Sequence, residues 1–151
     1  MQTGAPFAQS ALKNTLVCVW VGDPTPENME QFGRELEQLS VRYPSGIMMF
    51  SVVGDSCGMP SAAARSLMQR QFEAMRGRLL YATVAFEKTG IGGALSRTIL
   101  STLLTITRRP FEMSIHLSRE EAARWLAKKP NAPSSELLLQ LCSALAHRLE
   151  A

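Results

Sequence analysis

An α/β fold, with a single mixed β-sheet of four to five strands flanked by helices and an appended C-terminal amphipathic helix, is predicted by three observations. Apolar, β-branched runs alternate along the chain with segments whose apolar residues recur at helical spacing. Turn and capping residues stand at most changes between the two. The length of 151 residues is that of one domain, and a chain 46% apolar and 19% charged suits one packed core.

The elements follow in order. Residues 1–14 form an N-terminal segment that reads as an edge strand around Phe7–Leu12 with a turn at Lys13-Asn14. Thr15–Val21 is β-branched and aromatic and reads as a buried strand. After Gly22–Pro24, Thr25 caps a helix with Pro26 at its first position, where a missing N–H costs nothing. That helix runs to about Val41 and lines up Met29, Phe32, Leu36 and Leu39. Tyr43–Gly46 stops it, and Ile47–Val53 is the second strong strand. A loop over 54–60 precedes a helix from about Ser61 to Arg76 with Ala64, Met68, Phe72 and Met75 inward. Gly77 is its left-handed terminator.

Leu79–Phe86 is the third strong strand, Lys88–Gly93 a glycine-rich loop, and Ala94–Thr107 a helix. Phe111–Leu117 alternates as a further strand. Ser118-Arg-Glu-Glu121 is a capping box opening a short helix to about Ala127, in which the glutamate reaches back to the serine N–H. A domain over 15–129 is thus followed by a linker and a last helix, Glu136–Leu149, within 130–151.

Composition narrows the function. No apolar run approaches the roughly 20 residues of a spanning helix, so membrane insertion is not expected. No secretory leader is visible, and three scattered cysteines (Cys18, Cys57, Cys142) suit a reducing cytoplasm better than a disulfide framework. Two histidines and three unclustered cysteines offer no metal-ligand spacing, and no cofactor is implied. The net charge of +3 divides into −3 over residues 1–59 and +6 over 60–151. The arginines of the basic part lie on separate elements without interleaved aromatics, so a solvated face is expected and nucleic acid is not.

Gly54-Asp55-Ser56-Cys57-Gly58 fits G-x-S-x-G between a strand and a helix, the setting of a nucleophile elbow. A small serine hydrolase built on Ser56 would need a downstream acid, Glu87 or Glu112, and His116 or His147. The chain is short for the usual hydrolase sheet, and a tight glycine-bounded loop is the plainer reading. Cys57 reads as a structural thiol, because Pro60 places the helix start too late to activate it. Gly90, Gly92 and Gly93 lack the spacing of a phosphate-binding loop.

Association surfaces are the stronger signal. The helix after Gly93 carries Ile91, Leu95, Ile99, Leu103 and Ile106 on one face and Leu100 and Leu104 on the other, too wide an arc for one sheet face. The last helix carries Leu138, Leu141, Cys142, Leu145 and Leu149 as a stripe. The stripe either docks on the parent domain or pairs between subunits.

The element order, with Thr15–Leu39 as an opening and Phe111–Leu126, ending Ala-x-x-Trp-Leu, as a closing strand and helix, resembles the STAS-like group. That group includes the anti-sigma-factor antagonists and SpoIIAA-like proteins and is related to SEC14-type lipid-binding domains. The similarity spans Thr15–Ala127. It implies a STAS-like sheet domain and a protein-contact loop at Asp55, Ser56, Cys57 and Gly58, where antagonists carry Asp-Ser-Ser-Gly and phosphorylate the second serine. Cys57 stands at that position, which departs from the phospho-switch and leaves Ser56 as a neighbouring hydroxyl. The expected function is a cytoplasmic, non-enzymatic interaction module, regulatory or scaffolding, with a protein partner and homo-oligomerisation through Leu100, Leu104, Leu138, Leu141, Leu145 and Leu149. A lipid or small apolar ligand, implied by the SEC14-type relatives, is the alternative, and the hydrolase the second.

Overall fold

β-Branched and aromatic runs dictate where the sheet lies, and helix caps dictate where the chain turns back over it. The computed structural model describes residues 6–54, 57–58, 60–87 and 111–150. Strands β1 (Phe7–Leu12), β2 (Thr15–Trp20), β3 (Ile47–Val53), β4 (Leu79–Phe86) and β5 (Glu112–His116) form one five-stranded sheet in the order β1-β2-β3-β4-β5. β1 pairs antiparallel with β2 through a two-residue turn in which Lys13 takes the left-handed region at φ 54°. The remaining neighbours are parallel. The 1–14 segment therefore supplies a full edge strand of the sheet.

Helix α1 (Pro26–Arg42) starts where Thr25 accepts from the Asn28 N–H at 3.2 Å. Helix α2 (Ala62–Ala74) starts where Ser61 accepts from the Ala64 N–H at 3.1 Å. It ends two residues before the expected Arg76, because Met75 caps it and Gly77, at φ 80°, turns the chain into β4. Helix α3 (Arg119–Ala127) has the serine half of the expected box, Ser118 accepting from the Glu121 N–H at 3.1 Å. Helix α4 (Ser135–Glu150) closes the chain.

Side-chain alternation sends each strand to both faces. Leu16, Cys18, Trp20, Met49, Leu79 and Ala82 meet α1 and α2 in one apolar cluster; Val17, Val19, Met48, Phe50, Val52 and Ala85 meet α3 and α4 in the other. Cover on both faces is why β2 is buried at every position and reads as an unbroken apolar run. Parallel crossovers are right-handed, which puts α1 and α2 side by side on the same face.

The choice between docking and pairing for the last helix resolves in favour of docking. Leu138, Cys142 and Leu145 are fully buried against the chain's own sheet and α3, with Leu141 and Leu149 packed at the margin of the same cluster. Of the four leucines expected to carry self-association, Leu138 and Leu145 are buried inside one chain, whereas Leu141 and Leu149 are half-buried. The burial of Leu138 and Leu145 follows from α4 lying over β1 and β2. Leu100 and Leu104, with the helix expected over 94–107, lie outside the described residues. No described helix is long and apolar enough to cross a membrane.

Candidate functional site

The loops that leave the C-terminal ends of β2 and β3 are neighbours because those strands are. Trp20 and Val53 are register partners, and the Gly54 N–H donates to the Trp20 carbonyl at 2.9 Å. The loop after β2 is anchored at its base by Val21 and Gly22, whose N–H groups donate to the Pro6 carbonyl at 2.8 and 2.9 Å. In the loop after β3 the Cys57 N–H donates to the Gly54 carbonyl at 3.2 Å. At their tips the Gly58 N–H donates to the Asp23 carboxylate at 2.6 Å.

Beneath this rim, between the sheet and the α1/α2 layer, lies a cavity of about 130 Å³. Its floor is Met49, Ser51, Val84 and Met113; Trp20, Val53 and Phe86 stand at the strand ends; Met29 and Phe32 come from α1, Met68 and Phe72 from α2. Pro24, Cys57, Gly58 and Pro60 form the side nearest the loops. No charged side chain is among these residues. Ser51 is the one hydroxyl among them. The lining suits an uncharged apolar group, and its four methionines can adapt to the shape of what enters.

The residues singled out in the sequence divide between this site and other places. Cys57 and Gly58 lie on the cavity, Cys57 buried at 3% exposure. Asp55 and Ser56 fall outside the described residues. The acids and bases considered as partners for Ser56 are placed elsewhere. Glu87 forms a two-pronged pair with the Arg119 guanidinium at 2.7 and 3.0 Å and also accepts the Arg119 main-chain N–H. Glu112 pairs with Lys129, whose ammonium lies 4.4 Å from the Trp125 ring centre and 5.3 Å from that of Tyr81. His147 is on the exposed side of α4.

His116 lies on the far face of the sheet, beside Trp125. Its Nε2 is 2.5 Å from the Ser114 hydroxyl, and its Nδ1 is 4.0 Å from the Glu121 carboxylate. The i, i+2 spacing of Ser114 and His116 on one strand is the signal that announces that contact. Burial lowers the pKa of His116 below 6.5 against the opposing pull of Glu121, so the ring is neutral near pH 7. The other two thiols are deeply buried. Desolvation drives Cys18 far above its ordinary range and pushes Cys142 up to about 12, so neither is a nucleophile at neutral pH. Among the described residues no three His, Cys, Asp or Glu side chains gather as a metal site.

Sequence reasoning missed Asp23 and most of the cavity lining. Asp23 stands 35 positions from Gly58, and nothing local joins them. The methionines and aromatics of the lining read simply as core in sequence. A weak signal did exist, in eight methionines and in Trp20, Val53 and Phe86 at the ends of consecutive strands.

No family model matches the chain, and no curated protein matches it in sequence. Its fold does match a solved structure, an uncharacterized protein of the DUF3478 family with a SpoIIAA-like fold from Shewanella loihica PV-4. The TM-score is 0.55 at 14% identity, over 83% of this chain and 98% of that one. At that identity the likeness speaks to fold, and it agrees with the resemblance carried by Thr15–Leu39 and Phe111–Leu126. The chain has a SpoIIAA-like α/β fold, with one mixed five-stranded sheet between two helical layers.

Proposed function

We propose that the chain is a non-enzymatic binding module that takes a small, uncharged apolar ligand, or the apolar end of a larger one, into the cavity beneath the Asp23–Gly58 rim. The reading rests on the cavity itself: about 130 Å³ lined by aromatic, methionine and valine side chains at the C-terminal ends of parallel strands. That end of a parallel sheet is where ligands of α/β folds bind. An apolar protein cavity of about 150 Å³ accepts benzene, which sets the scale of the group this one can hold. Fluorobenzene, observed by fluorine NMR, is the matching probe. Saturable binding is expected, and Val84→Phe, which fills the floor of the cavity, is expected to weaken it at least about tenfold.

A second reading, contact with a protein partner or a second copy, is favoured by a different observation. Val41, Tyr43 and Leu80 are 72%, 37% and 38% exposed at the opposite end of the sheet. The turn after α1 is tied to the start of β4 there, the Ile47 N–H donating to the Arg78 carbonyl at 2.8 Å. Sedimentation of the wild-type chain beside a Val41→Ser, Leu80→Ser variant checks this reading: the variant is expected to lose any association, and identical profiles would end it.

A further inference from the structure

We propose that Asp23 is the latch of the apolar cavity: its bond to the Gly58 N–H holds the two rim loops together and governs access to the space beneath. The inference rests on the cavity-binding reading above and names how that site is controlled.

Both loops are held at their bases by main-chain bonds, through Val21 and Gly22 to Pro6 and through Gly54 to Trp20. At the tips the connection is a side chain. Asp23 Oδ1 accepts from the Gly58 N–H at 2.6 Å, a charge-assisted bond between positions 35 apart in sequence. The neighbours of both partners, Pro24 on one side and Cys57 and Pro60 on the other, line the cavity, as does Gly58 itself. The bond therefore spans the loops that form this side of the site.

Gly58 is built for that approach. A Cβ at this position would collide with Asp23 Oδ1 and lie 3.1 Å from its Cγ, so a side chain here and the latch exclude one another. The collision is with the carboxylate, so the glycine serves its approach. Releasing the carboxylate removes this tie between the two loops while the main-chain bonds at the loop bases stay in place. An opening of this kind is local, of the sort that proteins sample far below their global unfolding energy.

The cysteines make the opening measurable. Cys57 is on the cavity next to Gly58, whereas Cys18 and Cys142 are fully buried between sheet and helices away from the rim. Modification of the full chain by a water-soluble disulfide reagent, mapped by peptide mass spectrometry, reads each thiol separately. Asp23→Ala is expected to speed Cys57 modification about tenfold or more while Cys18 and Cys142 stay as slow as in the wild-type chain. Asp23→Asn, which keeps an acceptor oxygen but not the charge, is expected to fall between.

With fluorobenzene as probe, fluorine NMR exchange is expected to show faster entry and exit in Asp23→Ala and an affinity changed less than about threefold, since a latch scales both rates alike. Unchanged Cys57 reactivity in Asp23→Ala overturns the latch, and so does a rise shared by all three cysteines, which would make Asp23 a support of the whole fold. A wild-type chain that fails to bind fluorobenzene, with Cys57 alone released by Asp23→Ala, overturns the cavity-binding reading and leaves the latch standing.

Discussion

Thr83 shows what a single buried atom can cost this fold. It is wholly inaccessible in the middle of β4, and its hydroxyl has no hydrogen-bond partner among the described residues. On the opposite side of the same sheet, Ser51 is also buried, but it lines the apolar cavity. An orphaned hydroxyl carries its desolvation penalty without return, whereas an isosteric methyl carries none. Thr83→Val is therefore expected to raise stability by about 1 kcal/mol, read as a higher denaturant midpoint at unchanged slope. A lower midpoint would show that the hydroxyl is satisfied after all. Such detail was not legible in the sequence, where Thr83 looked like one β-branched residue in a strand. Strand propensity does not report which neighbours a hydroxyl meets.

The elements were more legible than the atoms. Thr25-Pro26 and Ser118 each announced a helix start, because a side-chain oxygen one step before an apolar periodicity does the same capping work in any fold. Both accept the expected main-chain N–H, and the structure adds Ser61 as a third cap, accepting from Ala64. The alternation of Phe111–Leu117 likewise marked β5. What periodicity left open was the destination of an apolar stripe, since Leu138, Cys142 and Leu145 look the same whether they meet their own sheet or a second subunit. The distances that decide it are tertiary: α4 returns across the whole chain to lie on β1 and β2.

Removing α4 by truncation after Lys129 would uncover Val17, Val19 and the rest of that face. The shortened chain is expected to lose several kcal/mol of stability and to associate through the exposed apolar surface. The checks are its melting temperature and its mass by light scattering. A truncated chain that melts with the full one and stays the same size would show that α4 contributes nothing to the core. Leu138→Ala, which leaves the helix in place, is expected to cost about 2–5 kcal/mol by itself.

At the scale of the molecule, the two helical layers are not equal. The α3/α4 layer lies over a packed cluster, and the Glu87–Arg119 pair ties the end of β4 to the start of α3. On the other face α1 and α2 adjoin an apolar cavity at the strand ends. This asymmetry is what separates a binding reading from a purely structural one, and the sequence held only part of it. Few catalytic side chains, no metal spacing and no charged cluster pointed to binding rather than chemistry. The loop at Gly54–Gly58 was visible as a special place, and its glycine at 58 proves to be a contact of Asp23. The cavity was not visible, because its lining consists of residues that also build ordinary cores. A void is a property of three-dimensional packing, and no local pattern spells it.

The most direct test is therefore occupancy of that void. In a titration of the full chain with fluorobenzene, followed by fluorine NMR, saturable one-to-one binding is predicted for the wild type. A stepwise loss is predicted through Val84→Ile and Val84→Phe as the floor is filled, with each variant retaining a cooperative unfolding transition. Absence of saturable binding, or equal binding by the wild-type chain and a folded Val84→Phe variant, would contradict the account.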